Sequence, residues 1–478
     1  MGILLLVGFL FSFLICESLY FPYVYHADNL YLPLFAGDII HSRPLTWYLP
    51  PSSYFFPDGV LVYSFSLIFP GEYVPSLYGS ILFPIYLFIL YSFFRKRFGK
   101  KKSNLGIQIF LLLFFMITLS LYSIDSNKQN PLGLIYTNGH HITGYIFSFY
   151  LLFRFWPKHP DPDRLTLRVW ITLSLLLILL ILFYSSDRLL LVFVIFPFLA
   201  STLFKNRKEN RIYSILFFTL IVFTGEWIIY DQKDFFPIES SFSILQRKTE
   251  GLPPTRILFL LLNYYFDFSK LFFHRTGIFL ITILFVFSLY YFRQTKRKRI
   301  TSDRIFFISQ TILSLLATGI IARFVYEHPY PIRYFLPMFL TFFSLCIVLY
   351  LKNLHAYSFL PLHSGISNYL LVLLLLLFSY STFSEFGFSL REEKKILVEQ
   401  LNEVAKGRTI LTNYKTRNPL LFWSEGSIKS YPISQKKTPY FWITNAFFHP
   451  FWNLEIPLSE QTEEPYLEWV PNSLTKDF

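Results

Sequence analysis

A few short stretches hold the residues of this chain that can do chemistry. His26-Ala27-Asp28-Asn29 and Asp38 fall in one interval near the N-terminus, and Tyr54-Phe55-Phe56-Pro57-Asp58 closes it. Further on come Asn138-Gly139-His140-His141, Ser186-Asp187-Arg188, Glu226 and Arg333-Tyr334. Asp28 and Asp58 can each act as a general base toward an acceptor hydroxyl or amine, or bind a divalent cation. Arg333, beside Tyr334, offers a planar fork of donors that matches a phosphate. His26, His140 and His141 can bind phosphate or donate to sugar hydroxyls. Adjacent helical residues point about 100° apart, so His140 and His141 do not readily chelate one ion together. Plainer roles compete with each of these. Asp28 suits a helix N-cap, Asp38 a solvated loop charge, Asp187-Arg188 a local ion pair in a tight turn, and Arg333 a snorkelling anchor.

These groups are set in a chain that is apolar almost throughout. Of 478 residues, 53% are hydrophobic and 15% charged. A soluble domain of this length needs far more charge to coat its surface. The composition excludes an ordinary cytosolic enzyme, a disordered chain and a nucleic-acid binder, and it implies a multi-pass membrane protein. Cys16 and Cys346 both lie in apolar runs, which supports neither a disulfide framework nor a thiolate metal site. No GxGxxG, Walker loop, GxSxG or HExxH pattern occurs, so ATP hydrolysis within the chain is unsupported.

A helix needs about 20 apolar residues to cross a bilayer. Eleven spans are expected, roughly 3–20, 73–94, 105–123, 139–153, 169–184, 189–204, 212–230, 277–292, 305–322, 334–351 and 366–384. With the N-terminus inside, the inner loops hold 21 of the 43 Lys and Arg in 56 residues, and the outer loops 11 in 128. That asymmetry orients the chain by the positive-inside rule, and it accounts for the net charge of +13 without nucleic acid. Residues 257–273 are apolar but interrupted by Asp267 and Lys270, and read as an interfacial or re-entrant helix on the outer side.

The expected architecture is all-α and polytopic. Residues 1–384 form the membrane domain, with a long first outer loop at 21–72. Within that loop 28–40 is expected to be a surface helix with Leu30, Leu34 and Phe35 toward lipid. Odd parity puts the tail, 385–478, outside as a small α/β domain. Its amphipathic helix is expected over 390–406 and its strands near 409–413 and 440–444. Most of the unusual polar groups then fall on the outer side, where they would line one cavity.

A first span, a long outer loop with an early Asp, many further spans and an extracytoplasmic tail domain resemble the GT-C superfamily of polyprenyl-phosphate-sugar-dependent glycosyltransferases. Bacterial mannosyltransferase-like and aminoarabinose-transferase-like membrane proteins show the nearest likeness. The resemblance rests on the His26, Tyr54–Asp58, Asn138–His141, Ser186–Arg188 and Arg333-Tyr334 motifs. It implies that Asp28 is the catalytic base and that Asp58 supplies a second acid in space. His26, His140, His141, Asp187, Arg188, Arg333 and Tyr334 would bind substrate. It also implies a polyprenyl-phosphate-sugar donor and an envelope lipid, glycan or protein acceptor, with a divalent cation as the one conceivable cofactor. The location would be the bacterial inner membrane; the lack of any Asn-x-Ser/Thr sequon fits that source. Two other readings are a transporter or flippase of a lipid-linked substrate and a non-catalytic envelope assembly protein.

Overall fold

The computed structural model describes residues 2–18, 21–45, 47–50, 52–124, 141–156, 167–205, 208–232, 236, 241–272, 302–325, 390–433, 444–445 and 466–468, and eight positions between 337 and 351. It is mostly helical. In chain order come α1 (Gly2–Cys16), α2 (Phe21–Val24), α3 (Ala27–Ile40), α4 (Val60–Ser66), α5 (Val74–Ile124), α6 (Ile142–Phe155), α7 (Leu167–Ser186), α8 (Phe196–Lys205), α9 (Lys208–Gln232), α10 (Ser241–Thr249) and α11 (Pro254–Phe272). A helix at Ser302–Ile320, one at 390–405 and one at Tyr414–Trp423 follow.

The long α5 run is two helices in one. Gly99 takes φ 80, a left-handed conformation that glycine adopts without a Cβ penalty. The chain reverses there. The rings of Tyr86 and Phe110 lie 5.6 Å apart, whereas a straight helix would separate residues that far along by about 36 Å. The halves match the spans expected at 73–94 and 105–123, with the basic run Arg95–Lys102 at the bend.

Three stretches are long and apolar enough to cross a membrane: Gly71–Leu111, Val169–Ser186 and Arg211–Gln232. Four shorter apolar helices accompany them, at Leu5–Cys16, Ile142–Phe155, Leu191–Phe204 and Ile308–Ala317. The expected eleven spans are thus not reached among the described residues; 277–292 and 366–384 lie outside them, as does most of 334–351. The apolar character is nonetheless plain. α7 exposes Trp170, Ile171, Leu175 and Ile178, and α9 exposes Leu216, Leu220, Phe223 and Trp227. Faces of that kind suit lipid and not water. α11 forms where the interfacial helix is expected. It exposes Leu258, Phe259, Leu262 and Phe266, while Tyr265 donates to the Leu315 carbonyl at 2.5 Å.

The tail is α/β, as expected, but it is no separate appendage. Strand β2 (Thr409–Thr412) pairs in parallel with β3 (Ser430–Pro432) and β5 (Tyr466–Glu468), in the order β3-β2-β5. The strand expected near 440–444 lies outside the described residues up to 443. Its continuation β4 (Thr444–Asn445) leaves that sheet and pairs antiparallel with β1 (Trp47–Tyr48) of the first loop. Helix Tyr414–Trp423 packs on α3, and the Asn418 amide donates to the Ala27 carbonyl at 3.2 Å. Loop and tail therefore share one body. α3 is not a lipid-facing surface helix either: Leu30 is fully buried and Phe35 nearly so, because the rest of the first loop folds back over it and sets the Trp47 and Phe55 rings, with Phe236, against Phe35.

Candidate functional site

α3 starts at His26, whose Nδ1 accepts the Asp28 N–H at 3.3 Å. His26 is the N-cap, so Asp28 is released from that role and sits in the first helical turn. A carboxylate there is stabilised by the positive end of the helix dipole. His26 and Asp28 approach to 3.8 Å, and the Asp28 side chain stays 25% exposed. Asp38, at the far end of α3, is buried and not solvated. It accepts from Trp47 Nε1 at 2.9 Å and from Arg43 at 3.4 Å.

Asp58 lies in a tight turn, Phe55–Gly59, in which Phe56 is extended (φ -131, ψ 126), wedged against α6 and α7. The turn is tied down by Ser186 at the end of α7. Tyr54 N–H donates to the Ser186 carbonyl at 3.1 Å and Phe56 N–H to its Oγ at 2.9 Å. Asp58 is 4% exposed and accepts from Tyr78, which also meets Thr143 at 3.1 Å. Burial pushes its pKa up to about 7, against hydrogen bonds from Thr143 and Tyr78 and with the help of the Asp187 charge. A carboxyl of that kind holds or gives up a proton near neutrality. The second acid that bears on Asp58 is thus Asp187.

His141 joins Asp187 to this turn. Its Nδ1 is 2.8 Å from Asp187 Oδ2, and its Nε2 is 2.9 Å from the Tyr54 hydroxyl. A proton on Nδ1 facing the carboxylate leaves Nε2 to accept from Tyr54. Asp187 Oδ1 accepts from Ser52 at 3.1 Å and from the Leu189 N–H at 3.1 Å. Tyr54 and His141, which touch, both adopt positive φ, 54 and 69. Left-handed backbone is costly for side chains of that size and persists where the surroundings force it. Strain, two carboxylates and one imidazole thus converge from the first loop and from the ends of α6 and α7.

Arg188 does not pair with its neighbour Asp187. It reaches α9 instead, with Nε 3.0 Å and Nη2 2.8 Å from the two Glu226 oxygens, and Tyr184 donates to Glu226 at 2.7 Å. Gly225 allows this, because a Cβ there would run into the Tyr184 ring. His140, Arg333 and Tyr334 lie outside the described residues. Asp28, Asp58, His141, Asp187 and Arg188 are placed, and Asp58, His141 and Asp187 come together. Among the described residues no three of His, Cys, Asp and Glu are arranged to hold a metal ion, so nothing in their geometry supports the divalent cation.

One cluster was missed by sequence reasoning. Glu17, read as part of the first apolar span, is buried and forms a bidentate pair with Arg391 at 2.6 and 2.5 Å. The Arg391 guanidinium also lies 4.2 Å from the Tyr73 ring centre and donates to the Glu72 carbonyl at 2.8 Å. The signal was available, since an acid inside an apolar run implies a partner.

No protein-family model matches the chain, and no curated protein matches it. Fold and site define a mostly helical protein with apolar helices of membrane length, whose first loop packs against the tail and carries a buried pair of acids.

Proposed function

We propose that the protein transfers a sugar from a polyprenyl-phosphate-linked donor to an envelope acceptor, with Asp28 as the base that deprotonates the acceptor. The observation that carries this reading is the setting of Asp28. It is the one partly exposed carboxylate of α3, and the helix that bears it is fixed at its start by His26 and from the tail by Asn418. A base must be both reachable and held in place. Asp58 is too enclosed to touch an acceptor, and His141 and Asp187 face Tyr54 and Ser52; these three would position the loop. Arg333 would meet the departing phosphate.

The finer topology belongs to the same proposal: GT-C-like, about eleven spans, in a bacterial inner membrane with a cytoplasmic N-terminus. The pairing of β1 with β4 supports its parity, an even number of spans between the first loop and the tail, because paired strands lie on one side of a membrane.

The test is Asp28→Asn in a strain whose only copy is the variant, read by envelope glycan profiling. Loss of one glycan modification is expected, with membrane abundance and melting temperature unchanged. An unaltered glycan profile from folded, membrane-inserted variant overturns the reading.

A further inference from the structure

α3 is turned away from lipid, but the next long helix of the first loop is not. α4 buries Val62 in one apolar cluster with Tyr31, Leu32 and Trp47. Its other face carries Val60 and Ser64, and Leu67 continues the helical backbone into Ile68. All four are exposed, and they recur at i, i+4, i+7 and i+8, which is one side of a helix. Phe69 and Pro70 are exposed as well. Four consecutive apolar residues, Leu67-Ile68-Phe69-Pro70, thus stand clear of the fold, with Ile68 at 71%. A run of that kind is unfavourable in water.

The same stretch turns its polar groups inward. The Leu67 N–H donates to the Tyr63 carbonyl at 3.2 Å, and the Ile68 and Phe69 N–H groups donate to the Phe65 carbonyl at 3.0 and 2.9 Å. Pro70 has no N–H to satisfy. The hydroxyls of Ser64 and Ser66 donate back to the Val60 and Val62 carbonyls at 2.8 and 2.9 Å. No charged residue occurs between Asp58 and Glu72, and the Glu72 carboxylate is 2.8 Å from Lys395. A medium that offers no hydrogen bonds demands this arrangement.

The position along the chain names that medium. Gly71, directly after Pro70, begins the stretch Gly71–Leu111 that is long and apolar enough to cross a membrane. The exposed run is therefore continuous with a membrane-crossing surface and lies where α5 meets the headgroups.

We propose that α4 and the Leu67–Pro70 tip form a lipid-inserted arm, whose exposed face lies among the acyl chains just beneath the headgroups and seats the first loop on that leaflet. The contact with lipid expected of α3 falls to α4 instead. The turn that bears Asp58 ends where α4 begins, and α4 packs on α3. The arm thus sets the depth at which Asp28 and Asp58 stand. It does so whatever reaction the loop performs, and it does not rest on glycosyl transfer.

The test uses the full chain in lipid nanodiscs, with Ile68→Cys labelled by the fluorophore NBD. Cys16 and Cys346 are buried, and the unsubstituted chain serves as the labelling blank. Ile68→Cys alters an exposed side chain, so the fold is expected to survive; Leu67→Cys repeats the measurement. Phosphatidylcholine carrying a doxyl group high on its acyl chain is expected to quench the label strongly, and aqueous iodide only weakly. At Ser427→Cys, an exposed position in the tail, the order is expected to reverse. A label at Ile68 as open to iodide as the one at Ser427 overturns the proposal, because the tip then stands in water. A label shielded from both quenchers also overturns it, in favour of a cover made of protein.

Discussion

Two of the places where the protein buries charge are built differently. At the end of α1, Glu17 faces Arg391 in a closed pair, with an aromatic ring against the guanidinium. Around the first-loop turn, Asp58 and Asp187 meet no guanidinium or ammonium among the described residues; an imidazole and hydroxyls surround them instead. A balanced pair has no reason to exchange protons and serves as a bolt between the tail and the membrane helices. Asp58, buried with no cation beside it among the described residues, instead holds or gives up a proton near neutrality. The same chain thus separates the charge that holds it together from the charge that can change.

That contrast is easiest to break at the bolt. Arg391→Ala leaves Glu17 buried without its partner, a change that costs about 3–5 kcal/mol. The expected result in detergent is a lower melting temperature and faster proteolysis within 390–433, largely restored when Glu17→Gln is added. An unchanged melting temperature would mean that the pair is ornamental and the contrast false.

The acid cluster gives the next effect. Folded Asp58 titrates near 7, above its unfolded value, so between about pH 4 and 7 the folded protein binds the extra proton and stability falls as pH rises. Asp58→Asn removes that slope. Between pH 4 and pH 8 the variant should gain on the wild type by at most roughly 4 kcal/mol, read from unfolding at each pH. Parallel pH curves for the two proteins would show that Asp58 is not held protonated.

Arg188 supplies the smallest and sharpest case. Its pair with Glu226 is 25% and 44% exposed, so solvent screens it, and Arg188→Ala should cost no more than about 1 kcal/mol. A loss as large as that of Arg391→Ala would place this pair with the bolts. If glycan transfer falls while melting stays put, it belongs with the site.

Much of the molecule was legible in the residue order. Apolar runs of membrane length, the basic stretch between the spans 73–94 and 105–123, the loop helix over 28–40, the apolar α11 and the tail's first helix and strand are local properties. They depend on composition and on spacings of a few residues. Asp58, His141 and Asp187 could also be singled out, because ionisable groups at the ends of apolar runs are rare. Their partners could not. Asp187 and Ser52 stand 135 positions apart, and Glu17 and Arg391 stand 374 apart.

The chain by itself determined that this is a helical membrane protein and where its costly polar groups lie, because lipid imposes length and apolarity on each span separately. Only the tertiary structure decided what each group does there. Asp38 became a buried acceptor, His26 a cap, Asp28 a reachable carboxylate and Asp58 a closed one. Burial and pairing are set by what folds against a residue, and in this protein that comes from distant parts of the chain.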